Sequence, residues 1–139
     1  MRLHRVKNAF PTGSWAGLLP IAILGLAGCG SDGPPRYDLS GAATYQGKPI
    51  PGGRIMLQPD AKQGNQGPGS VADITDGRYR TRRGKGTVGG PHIVTVFGTD
   101  GTVPTEEDDK SLFPPYRTKV DLPKEDATLD FDVPAAVRP

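Results

Sequence analysis

Hydrophobic and polar residues alternate along much of the chain with a period of two, in runs too short for helices. Ile55 and Leu57 share one face of residues 54–58, a strand that Pro59 ends because proline has no amide hydrogen for a ladder. Leu39, Gly41, Ala43 and Tyr45 alternate with polar or small partners in a weaker first strand, and Gln46-Gly47-Lys48-Pro49 then has turn chemistry. Residues 70–74 and 78–81 flank Asp76-Gly77, a pair that tolerates the positive φ of a tight hairpin turn, with Val71 and Tyr79 as the larger inward candidates. Residues 92–97 are almost all β-branched or aromatic and apolar on both faces, which predicts a central strand. Residues 119–122 and 128–133 close the pattern, with Leu129, Phe131 and Val133 on one face and Thr128, Asp130 and Asp132 on the other. Residues 60–69 read as a loose loop, and glycines 84, 86, 89 and 90 mark another. About seven short strands separated by Gly/Pro turns predict an all-β, immunoglobulin-like antiparallel sandwich.

The N-terminus breaks this pattern. Arg2, Arg5 and Lys7 precede an apolar stretch at residues 15–27 that Pro20 interrupts. Its length suits the core of a signal peptide and falls short of the roughly 20 residues a bilayer-crossing helix needs. Cys29, the single cysteine, follows Leu26-Ala27-Gly28, and this stretch resembles the lipobox of bacterial lipoproteins. The resemblance implies that residues 1–28 are removed and that Cys29 receives a lipid, anchoring an exported protein to the membrane of the cell envelope. A plain thiol ending an apolar run, or a retained membrane anchor, are the alternatives; the anchor would also leave the domain outside, because positive charge precedes the apolar run. Gly30 rather than aspartate after the cysteine favours the outer membrane where the envelope has two. Residues 29–36 read as a flexible tether, 37–134 as the domain and 135–139 as a tail.

Removing residues 1–28 leaves 111 of the 139, enough for one modest core. The formal charge of +2 falls to −1, because the removed segment holds three cations and no carboxylate. No broad basic field is left to neutralise phosphates, so nucleic acid is not an expected partner. One cysteine also precludes an internal disulfide.

Leu39-Ser40-Gly41, residues 47–53 (Gly-Lys-Pro-Ile-Pro-Gly-Gly), Thr75-Asp76-Gly77-Arg78-Tyr79 and residues 90–96 (Gly-Pro-His-Ile-Val-Thr-Val) together resemble the carboxypeptidase regulatory-like domain. Pro115-Tyr116 and residues 129–133 also fit that family's ending. The resemblance spans residues 37–134 and implies a transthyretin-like β-sandwich that serves as an accessory or binding module. It implies hairpin turns at Gly47-Pro49 and Asp76-Gly77, and Tyr79 and Phe131 in the core. It supplies no catalytic residues. The acidic stretch within residues 99–112 departs from the pattern.

Candidate chemistry is sparse. His92 is the one histidine after Cys29, and a zinc site takes three or four ligands, so neither catalysis nor a metal is expected, and no cofactor is implied. Residues 106–109 are acidic but lack the alternating aspartates and central glycine of a calcium loop. Arg78, Arg80 and Arg82 fall on one strand face opposite Tyr79, as a stripe for an anionic partner or as a charged edge that resists aggregation. Phe113 and Tyr116 form either an exposed aromatic platform for a protein or carbohydrate, or a cap on one end of the sandwich. Two functions are compatible with these residues: a non-enzymatic envelope module that binds protein or carbohydrate, and an accessory subunit or spacer of a larger complex.

Overall fold

The computed structural model of the chain describes Gly13, residues 33–103, Thr105 and residues 108–135. Residues 1–28 and Cys29, with the reading of them as signal peptide and lipid acceptor, lie outside the described residues apart from Gly13.

Nine strands form one curled, mostly antiparallel sheet: β1 Leu39–Tyr45, β2 Lys48–Pro49, β3 Gly52–Pro59, β4 Ser70–Thr75, β5 Arg78–Arg80, β6 Gly90–Thr99, β7 Tyr116–Leu122, β8 Ala127–Thr128 and β9 Phe131–Val133. The order is β2-β1-β5-β4-β3-β6-β7, and β8 and β9 both pair with β1 in parallel. Both expected hairpin turns are present. Gln46-Gly47 and Asp76-Gly77 have φ of 52° and 73°, and of 50° and 72°, the left-handed pair that matches the twist of the strands they join.

The inner faces of these strands make one core, including Leu39, Ile50, Ile55, Leu57, Ile74, Tyr79, Val94, Val96 and Phe131. One expected inward residue faces out. Cross-strand partners share a face, and the two-residue turn pairs Ile74 with Tyr79, so the buried Tyr79 places Ser70, Ala72 and Ile74 inside. Val71 therefore points to solvent, 48% exposed, beside Met56 on β3.

β6 pairs along its length with β3 and β7, as expected of a central strand. Its alternation buries His92, Val94, Val96 and Gly98. At Gly98 the inward position is empty of side chain, and the Phe113 ring fills it: a Cβ there would meet the ring at 2.5 Å. Phe113 also lies against Tyr45, with ring centroids 4.7 Å apart.

The single closing strand expected at residues 128–133 is interrupted at Leu129-Asp130, with the same register against β1 on either side of the break. There the Asp130 carboxylate, rather than a strand carbonyl, accepts the Ala42 amide at 2.8 Å. Tyr79 Oη donates to Leu129 O at 2.5 Å. Burial, and secondarily the charge of Asp130, push the Tyr79 phenol well above its ordinary pKa of 10.0, so it stays protonated and available as that donor. Gly41 lies directly beneath this break, where any Cβ would sit 2.0 Å from Leu129 O.

The tether expected over residues 29–36 ends earlier than the sequence suggests. Arg36 is held against the sheet end: Nε donates to Gly86 O, and Nη2 to Gly69 O and Lys85 O, at 2.9, 2.9 and 3.0 Å. Tyr37 then pairs with Thr87.

Candidate functional site

Arg78 and Arg80 project from β5 to the outer face, with Tyr79 buried behind them, as the period of two requires. Arg82 lies beyond the strand end and is exposed, so the stripe consists of two arginines on the sheet and one on the following loop. Beside the pair runs a shallow groove formed by two adjoining cavities of about 490 and 360 Å³, both lined by Ser40, Arg80 and Thr128. Guanidinium groups and hydroxyls line it together with the carboxylates of Asp73 and Asp126, which gives it both donors and acceptors.

Phe113 is not a platform. It is 7% exposed and belongs to the core, and Tyr116 is half-buried against that core. Exposed apolar side chains lie instead on the outer face of β4, β3 and β6, and at Val103 and Leu112 in the loop after β6. Val71 is the cross-strand partner of Met56, and Phe97, 37% exposed, sits diagonally from Met56 beyond Thr95. Arg54 borders the patch as partner of both Phe97 and Asp73, and pairs with Asp73 Oδ1 at 3.3 Å.

A buried polar cluster that the sequence did not announce sits where β3 ends and β6 begins. Residues 60–69 are not loose there. Asp60, 1% exposed, caps a single 3-10 turn at Ala61–Gln63, accepting from the Lys62 amide and Gln63 Nε2 at 3.1 Å each, with Lys119 Nζ 3.6 Å away. Asn65 Nδ2 donates to Gly89 O and Pro91 O at 3.0 and 2.7 Å and ties this loop to β6. His92, also 1% exposed, has Nδ1 2.9 Å from Gly90 O. A carbonyl only accepts, so that nitrogen is assigned the hydrogen and Nε2 keeps a lone pair without a hydrogen-bond partner. Neither Asp60 nor His92 bonds a hydroxyl among the described residues, and these residues hold no group of three or more His, Cys, Asp or Glu spaced for a metal. The cluster's visible work is to fasten a loop.

Burial raises the Asp60 pKa, but the Gln63 and Lys62 hydrogen bonds and the Lys119 charge outweigh it and hold the carboxyl below its ordinary value of 3.8. A pKa depressed by folding contributes stability that is fully present above the unfolded value and lost as pH falls through the folded one. The thermal midpoint should therefore be flat above about pH 5 and fall below about pH 4. Asp60→Asn should flatten part of that fall in melts recorded across the acid range. An unchanged acid limb in the variant would assign the sensitivity elsewhere.

In the far loop, two acidic residues serve local turns. Asp100 Oδ1 accepts from the Thr102 hydroxyl and amide at 2.6 and 2.9 Å, and Asp109 Oδ1 from the Ser111 hydroxyl and amide at 2.6 and 3.1 Å. These bonds lower both carboxyl pKa values. Asp108 is paired with Lys110.

The described residues form a small all-β domain. In comparisons with known proteins, the chain matches no family model, no curated protein and no solved structure.

Proposed function

We propose that the chain is an exported envelope lipoprotein, acylated at Cys29 after loss of residues 1–28, whose curled sheet is a β-sandwich of the carboxypeptidase regulatory-like, transthyretin-like type. In this reading the domain is a non-enzymatic module that binds a protein or carbohydrate of the envelope. The observation that carries the binding role is the contiguous outer face of Val71, Met56 and Phe97, because clustered exposed apolar side chains on a small domain mark partner sites more often than isolated ones do. Carbohydrate is favoured specifically by the groove at Ser40, Arg80 and Thr128, whose hydroxyl and guanidinium groups suit polar ligands. A spacer or accessory subunit is the second reading; the firmly seated Arg36 favours it, since a fixed point of chain entry suits a domain that holds a set position.

Two measurements test the proposal. Intact mass of the N-terminal peptide from membranes should give acylated Cys29, and Cys29→Ala should lose the modification; a retained residue 1 with a free thiol would remove the lipoprotein reading. A photo-crosslinking residue at position 97 should form a discrete adduct in cells that one at Lys48 does not, and Val71→Glu should abolish that adduct while leaving the melting temperature nearly unchanged. Full cellular function of a Val71→Glu/Phe97→Glu variant, with no adduct at position 97, would leave the spacer reading standing alone.

A further inference from the structure

The strands divide the loops between two ends of the sheet, and the cations gather in one loop at the chain-entry end, which also carries Asp38, Asp121, Glu125 and Asp126. At one end lie the start of β1, the end of β5, the start of β6 and the end of β7, since Ser40 pairs with Arg80 and Gly90 with Leu122. The chain enters the domain at this end through Arg36, whose guanidinium bonds the backbone of the 82–87 loop itself. That loop carries Arg82, Arg83 and Lys85, all exposed and none in an ion pair among the described residues. Its shape is set from within the domain: the Lys85 amide donates to Arg82 O, the Gly84 amide to Asp38 Oδ1, and Ser70 Oγ to Lys85 O. The backbone is thus anchored while the three cationic side chains stay in solvent. At the opposite end lie Asp76, Asp100, Asp108 and Asp109, all exposed.

We propose that the loop of Arg82, Arg83 and Lys85 is a docking surface for anionic phospholipid headgroups, which hold the domain with its chain-entry end against the bilayer and its opposite end outward. This rests on the reading of Cys29 as the acylated residue. Six residues, 30–35, lie between Cys29 and Arg36, and the seven chain steps reach at most about 25 Å, while a slack tether of that length averages about 15 Å. The loop is therefore held within a few Debye lengths of the headgroups, each about 8 Å at physiological salt. On a neutral surface the tether leaves the domain free to tumble. On an anionic one, each cation near the surface strengthens association about fivefold, so the three together favour the docked state on the order of a hundredfold.

The test uses the full chain, purified from membranes and reconstituted into phosphatidylcholine vesicles with or without phosphatidylglycerol. A fluorophore is attached at Gln66→Cys near the chain-entry end or at Val103→Cys at the other, and its quenching by a headgroup-borne nitroxide is read on the floated fraction. With phosphatidylglycerol, the label at position 66 should be strongly quenched and that at 103 only weakly; high salt should reverse the quenching, and so should Arg82→Gln/Arg83→Gln/Lys85→Gln. Equal quenching of position 66 with and without phosphatidylglycerol, in protein that floats with both vesicles, would overturn the docking surface and leave the anchor intact. Flotation with phosphatidylglycerol vesicles alone would remove the anchor and keep the basic surface. Flotation with neither would overturn both.

Discussion

Gly41→Val is expected to unfold the domain, at a cost of about 4 kcal/mol or more, against a total stability of roughly 5–15 kcal/mol for a domain of this size. The reason is purely steric. Gly41 does not adopt a positive φ, yet a Cβ on it would lie 2.0 Å from Leu129 O and 2.6 Å from Leu129 C. Those atoms are backbone and are held from two sides, by the Leu129 amide on Ser40 O and by the Tyr79 hydroxyl on the Leu129 carbonyl. Neither can yield without lifting residues 129–130 off β1 and, with them, the pairings of β8 and β9. Urea unfolding followed by circular dichroism reads the effect. Gly69→Ala is the control, since its Cβ meets nothing nearer than 3.4 Å and its effect should stay within about 0.5 kcal/mol. A Gly41→Val midpoint equal to wild type would mean that residues 129–130 do not pack on Gly41.

Phe113→Ala should cost about 3–5 kcal/mol, as expected for emptying a buried aromatic site. The partner to test with it is Gly98. Gly98→Ala drives a methyl into the ring at 2.5 Å, but in a Phe113→Ala background that clash is gone. Without the ring the added methyl still meets Ile50 Cγ2 at 3.2 Å, so the second substitution should be damaging alone and much less so in the double variant, a coupling that a double-mutant cycle measures directly. Additive costs would show that the ring does not occupy the space over Gly98. A ligand-binding role for Phe113 makes the opposite forecast, with stability unchanged.

The all-β class and both tight turns were legible because they depend on local chemistry: alternation for the strands, and residues tolerant of positive φ at Gln46-Gly47 and Asp76-Gly77. What failed needed one more step. The two-residue turn pairs Ile74 with Tyr79, and counting back three residues from Ile74 puts Val71 on the opposite face, so the apolar outer patch could have been found from register alone. Phe113 carried a subtler signal, a glycine at the inward position 98 of an otherwise bulky strand, which leaves a hole that a distant ring must fill. Asp60 carried a local one, since the groups it caps, Lys62 and Gln63, follow it by two and three residues. Arg36 carried none, because its partners are backbone groups 33 to 50 residues away and no window along the chain displays them. The groove at Ser40, Arg80 and Thr128 is equally non-local, because it is assembled by β5, β1 and β8.

The parallel pairing of β1 with β9 also sets the order in which the chain can fold. Ala42 and Asp130, whose hydrogen bond spans the break, are 88 positions apart, as are Thr44 and Asp132. Any machine that releases the polypeptide from its N-terminus delivers β1 first and holds back its partner almost to the last residue. Until then one edge of β1 lacks its native ladder, and closure must overcome the entropy of joining distant segments, which places such topologies among the slow folders. A chain released in that direction completes the ladder of β1 only once residues 127–133 are free to pair.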